Sequence, residues 1–164
     1  MGRAPRRAQV SAGLLVYRHG PGGTEVLIAH PGGPFWAKKD AGAWTVPKGL
    51  ADHTGDDDLL ATAQREFTEE TGFVAQGPFL PLAPVKQASG KIVHAFACVG
   101  DFDPAKLASN TFEIEWPPRS GRRQSFPEID RAAWFGFTEA LNQIIGYQRP
   151  FLVELRDKLR AEDV

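Results

Sequence analysis

Three glutamates at i, i+3 and i+4 restrict how this chain can fold more than any other feature. Glu66, Glu69 and Glu70 lie in the stretch Gly49 to Phe73, GLADHTGDDDLLATAQREFTEETGF. On a helix turning about 100° per residue, they fall within an arc of about 100°. Leu60, Ala63 and Phe67 form a second stripe beside that arc, apolar and wide enough to dock on a sheet. The helix is anchored by one side and shows carboxylates along the neighbouring one. Like charges so spaced cost roughly 0.2–0.5 kcal/mol per pair in an isolated helix. They are either a solvated acidic face or a set of hard oxygen ligands of the kind Mg²⁺ or Mn²⁺ prefers.

The surrounding residues decide between these two. Gly49 opens the stretch, Arg65, Glu66, Phe67, Glu69, Glu70, Gly72 and Phe73 close it, and Trp44-Thr45-Val46-Pro47-Lys48 leads in. This pattern resembles the signature of the Nudix hydrolases, which cleave nucleoside diphosphates linked to some other moiety. It departs from the family in one respect. Fifteen residues, Leu50 to Gln64, separate the glycine from the arginine, two more than the family spacing. Counted back from Arg65, the first family glutamate falls on Asp57, which points to a two-residue insertion within Ala51–Asp56. Asp57 is then a shortened metal ligand or a structural brace.

The resemblance implies the Nudix fold, an α+β α/β/α sandwich with a mixed sheet, the glutamate helix on one side and one or two C-terminal helices on the other. It also implies hydrolysis of a pyrophosphate linkage with Mg²⁺ (or Mn²⁺) as cofactor, since divalent ions neutralise phosphate, activate water and stabilise the leaving group. Glu66, Glu69 and Glu70 become metal ligands. Arg65 becomes the residue that orients them through its five-donor guanidinium, although an i,i+4 ion pair with Glu69 would be expected in any case. Gly72 serves backbone geometry. Family members often recruit a further acid from a distant loop, and Glu128, in Ser125-Phe126-Pro127-Glu128 six residues before Trp134, is the candidate ligand or base. Its rivals Glu113 and Glu115 alternate with Ile114 on an expected strand and should face solvent.

Substrate contacts are expected from Lys48, as a point charge on a phosphate or else a solvated lysine. Trp36 could stack a base, whereas Trp44 suits the core. Arg122 and Arg123, with Arg119, could clamp a polyphosphate tail or simply keep a loop soluble. His94 is expected to be a buried, hydrogen-bonded histidine and His53 an exposed one. The segments SAGLLVYR and EVLIAHPGGPFW look closest to bacterial nucleotide pyrophosphohydrolases and dinucleoside-polyphosphate hydrolases, so a nucleoside triphosphate or dinucleoside polyphosphate is the expected small-molecule partner. The tyrosine that many of the latter carry after the box has no evident counterpart, the only tyrosines being Tyr17 and Tyr147. The alternative is a catalytically weak Nudix-like nucleotide-binding or sensor module, against which the intact glutamates argue.

At 164 residues the chain suits one domain, expected as a flexible basic arm over 1–8 and a single domain over 9–164. A net charge of −1 argues against nucleic-acid or membrane adhesion. A single cysteine, Cys98, excludes an internal disulfide and suits a reduced, cytoplasmic setting. No apolar run is long enough to cross a membrane, and the oligomeric state stays open. Strands are expected over Gln9–Arg18, Glu25–His30, Trp44–Pro47, Pro81–Gln87, Lys91–Val99, Thr111–Trp116 and Ala132–Phe137. Helices are expected after an N-cap among Asp56, Asp57 and Asp58, and over Thr138–Ile145 and Pro150–Ala161, with Pro117 to Arg123 a basic loop.

Overall fold

The computed structural model describes residues 9–51 and 58–162. Strand β1 (Val10–Gly20) lies at the centre, buried without interruption from Ser11 to Val16, as expected of a strand covered on both faces. It turns through Gly20-Pro21-Gly22-Gly23 into antiparallel β2 (Gly23–Pro31), so the first two expected strands form a hairpin. On its other edge β1 runs parallel to β6 (Ile92–Val99), in register from Val10↔Ile92 to Tyr17↔Val99. β6 also pairs with the two-residue strands β4 (Leu80–Pro81) and β5 (Val85–Lys86). Beyond β2 lies antiparallel β9 (Ile129–Gly136), and β3 (Lys48–Leu50) pairs with the start of β1.

Alternation along these strands splits the core in two. Leu15, Val26, Ile28, Val93 and Ala95 face α2 (Phe137–Gln143) and α3 (Arg149–Glu162), meeting Ala140, Ile144, Phe151, Leu152 and Leu155. Ala12, Leu14, Val16, Leu27 and Cys98 face the opposite way, toward Ala63 and Phe67 of α1 (Leu59–Thr71). This is the expected sandwich. Phe67 is fully buried and tilted against Phe73 and Phe102 at centroid distances of 6.5 and 5.8 Å. Phe67→Ala is therefore expected to cost about 3–5 kcal/mol, measured by urea unfolding. A loss below about 1 kcal/mol would mean that α1 is held by something other than this contact.

Helix α1 begins at Asp58, whose side chain accepts from the Ala61 N–H at 3.1 Å, and ends at Gly72 in the left-handed region at φ 79°, where glycine carries no steric cost. Asp58 is thus the N-cap among the three aspartates. Residues 52–57, which include His53, Asp57 and all of the inserted loop but Ala51, and the 1–8 arm lie outside the described residues.

Three expectations are corrected. The strand expected over Trp44–Pro47 consists of isolated bridges, Ala29↔Thr45 and Trp44↔Ile144. β1 and β2 part beyond Val16↔Leu27, and the segment threads the wedge between them. Thr45 exchanges bonds of 2.9 and 2.8 Å with Ala29 of β2, and the Pro47 carbonyl then accepts from Leu14 of β1 at 3.2 Å. Regular pairing starts only at Lys48. The strand expected over Pro81–Gln87 is broken because the Ala83 N–H is taken by Glu154 Oε1 at 2.7 Å and Pro84 has none to offer. Finally, β8 (Arg123–Pro127) extends where a loop was expected to end, forming with β7 (Thr111–Glu115) a two-stranded ribbon apart from the main sheet. Its polar composition hides it from hydrophobic periodicity. No helix among the described residues is long and apolar enough to cross a membrane.

Candidate active site

The threading segment delivers β3 against α1. The Lys48 N–H donates to Glu70 Oε2 at 3.1 Å, and the Glu70 carboxylate is buried behind it. One residue further on, a Cβ on Gly49 would fall on the Glu66 carboxylate. The opening glycine is therefore required for space rather than conformation. Arg65 spans the outer face, with Nη2 3.5 Å from Glu66 Oε1 and Nε 3.9 Å from Glu69 Oε1. The Glu69 side chain is 47% exposed and the Glu66 side chain only 16%.

Glu128 arrives at the junction of β8 and β9 and is tied in by its backbone. Its N–H donates to the Asn110 carbonyl at 2.8 Å, and the Asn110 N–H donates to the Glu69 carbonyl at 2.8 Å. The Gly32 N–H donates to the Glu128 carbonyl at 2.9 Å. Asn110 thereby fastens the fourth acid to the end of the glutamate helix, 58 residues after Glu70 in the chain.

Electrostatics record how close these groups stand. The Glu70 carboxyl is pushed up to about 8 by burial and then by Glu66 and Glu128, with Lys48 opposing. Burial and then Glu69 raise Glu66, against Arg65, and burial raises Glu128. The Lys48 amine is pushed down by burial, with Glu70 opposing. Each buried carboxylate makes the next harder to ionise, and a cation among them would reverse that penalty.

Two cavities meet on this wall. One, of about 340 Å³, is lined by Ser11, Lys91 and Asn110 together with Glu66, Glu70, Glu128 and Lys48. The other, of about 260 Å³, is lined by Trp36, Tyr147, Ile129, Ile145 and Gln87, and shares Lys48, Glu70 and Glu128 with the first. The structure thus brings together Glu66, Glu70, Glu128, Lys48 and Trp36. Glu69, Arg122 and Arg123 line neither cavity. Arg123 lies 3.7 Å from Glu113 on the ribbon, where Glu113 and Glu115 are exposed as expected. Trp44 is core, its indole donating to Asp40 at 2.8 Å, and His94 is half-buried on β6, lining neither cavity.

Ser11, Lys91, Asn110 and Tyr147 were not expected. They belong to four separate segments with no local signature, and only chain packing assembles them. Among the described residues no three carboxylate, imidazole or thiol groups already converge on one point, in keeping with the repulsion among them. The donors facing the larger cavity are nevertheless the hard oxygen type that fits Mg²⁺ or Mn²⁺.

The sequence profile of the NUDIX domain matches residues 7–155. The chain belongs to the Nudix family and is an enzyme of its pyrophosphohydrolase class. Among solved structures it is similar to the NUDIX domain of Shewanella oneidensis NrtR complexed with ADP ribose, at 17% identity and a TM-score of 0.64, covering 94% of this chain and 90% of that one. It is also similar to a C. elegans Ap4A hydrolase, at 19% identity and a TM-score of 0.63 over 92% and 98% of the two chains. A mutT/nudix family protein from Listeria innocua matches at 17% identity and a TM-score of 0.60 over 96% and 98%. These likenesses establish the fold. No curated protein matches the sequence.

Proposed function

We propose that this enzyme hydrolyses a pyrophosphate linkage in a nucleoside triphosphate or dinucleoside polyphosphate, with Mg²⁺ or Mn²⁺ as cofactor. The observation that carries the reading is the shared wall of Glu70, Glu128 and Lys48 between a polar cavity and one bounded by Trp36 and Tyr147. Glu66, Glu69, Glu70 and Glu128 would hold the metal, which when bound polarises the phosphate and lowers the pKa of a bound water. Glu69 would have to turn toward the cavity to join, and its side chain is exposed and loosely paired. Arg65 orients Glu66 and Glu69. Lys48, beside Glu70, places a positive charge where a phosphate would cross the wall. Trp36 and Tyr147 offer the nucleoside an aromatic surface. Arg122 and Arg123 would meet only a phosphate tail that leaves the cavities along the ribbon. A cytoplasmic setting is part of the same proposal and suits the buried free thiol of Cys98.

The test is product release from nucleoside triphosphates, dinucleoside polyphosphates, nucleotide sugars and ADP-ribose, with Mg²⁺ and with Mn²⁺. Metal-dependent turnover of the first two classes is expected; tight nucleotide binding without turnover of any would favour the sensor module. With the best substrate, Glu128→Gln is expected to lower kcat about 10²-fold, as loss of a positioned acid–base group does. Unchanged kcat would remove Glu128 from the site.

A further inference from the structure

His30 is completely buried at the end of β2, and both ring nitrogens are engaged by different parts of the chain. Nε2 donates to the Lys39 carbonyl at 2.6 Å, and Nδ1 lies 2.9 Å from Asp130 Oδ1. The ring also meets Trp44 edge-on at 5.4 Å. Lys39 also closes the loop that carries Trp36, its N–H donating to the Trp36 carbonyl at 2.9 Å. Asp130 lies two residues past Glu128, where the β2–β9 register slips between His30 and Pro31. Such a bulge releases a strand from its ladder, so there the His30–Asp130 bond and the Gly32–Glu128 bond hold the strand to β2 instead.

We propose that His30 is a positioning residue for the active site, its Nε2 setting the Trp36 wall and its Nδ1 setting the strand that presents Glu128. The claim rests on the proposed function only for its kinetic consequences. Two substitutions separate the arms. Asparagine keeps a polar nitrogen at the Nδ1 position and loses the contact at Nε2; glutamine does the reverse. Both lose the Trp44 contact, so that loss cancels in the comparison.

Hydrogen exchange of the substrate-free enzyme is the primary test. His30→Asn is expected to speed exchange of the Lys39 and Ala43 amides about tenfold while sparing Gly32 and Glu128, and His30→Gln to do the opposite. In turnover, His30→Asn should raise KM with kcat retained, and His30→Gln should lower kcat about 10–100-fold, the range for residues that orient a metal ligand. Equal acceleration of both amide pairs in both variants, or of neither, would overturn the proposal. A wild-type enzyme inactive on every substrate would count against the proposed function, while the exchange pattern would still decide the role of His30.

Discussion

Glu70→Gln is expected to lower kcat by about a thousandfold, roughly 4 kcal/mol of transition-state stabilisation, while making the metal-free protein more stable at pH 8. Glu70 is buried, and its carboxyl titrates near 8 rather than at the ordinary 4.5. Between those values the folded chain keeps a proton that the unfolded chain has lost. Stability contributed by the neutral form is therefore fully present below about 4.5 and is lost as pH rises through about 8. Glutamine keeps the acceptor for the Lys48 N–H and removes the charge, although it also removes a partner of the Lys48 amine. In EDTA the variant's melting temperature should exceed the wild type's by roughly 3–6 °C at pH 8, corresponding to about 1–2 kcal/mol, and match it near pH 5. Added Mg²⁺ or Mn²⁺ should reverse the order by stabilising the wild type alone. A variant destabilised in EDTA at pH 8 would show that the Glu70–Lys48 attraction outweighs the burial and the crowding with Glu66 and Glu128.

Gly49→Ala should reduce turnover about a hundredfold while the fold survives. Its new methyl would occupy the place of the Glu66 carboxylate, the far end of a flexible side chain, which can swing aside. The backbone of Gly49 is not in the left-handed region, so alanine meets no conformational penalty. The expected signature is a melting temperature within about 3 °C of wild type with metal affinity weakened about 10–100-fold, as when a ligand's support is lost. Gly49→Ala combined with Glu66→Gln should be no worse than Glu66→Gln alone. Full additivity would mean that the methyl acts elsewhere than on Glu66.

Much of this site is legible in the residues themselves. Glu66 and Glu70 share a helix face because helical geometry is local, and Phe67 marks the buried side for the same reason. Gly72 ends the helix through contacts within a few residues, whereas the residues leave its opening cap among Asp56, Asp57 and Asp58 and the structure selects Asp58. Glu128 could be picked out only because the family resemblance implies an acid at that distance before a strand Trp, here Trp134, and Asn110, which fastens it to the helix, could not. The exposure of Glu69 and the exclusion of Arg122 and Arg123 from the cavities depend on rotations and on a ribbon whose second strand, β8, no periodicity announces. The wedge between β1 and β2 was missed as well. Each threading residue there bonds a different neighbour, so the segment has no strand alternation to detect.

The sequence by itself pointed to the family through its motif, and it determined the helix with its three carboxylates, its apolar stripe and its closing glycine, because these are set by spacing along a few turns. Only the tertiary structure decided which carboxylates are buried, which cavities they line, and that His30 ties the Trp36 loop to the Glu128 strand. Those outcomes depend on desolvation and mutual repulsion between groups brought together from β3, α1, β9 and their loops. Energies of that kind depend on distance in space, which the order of residues does not supply.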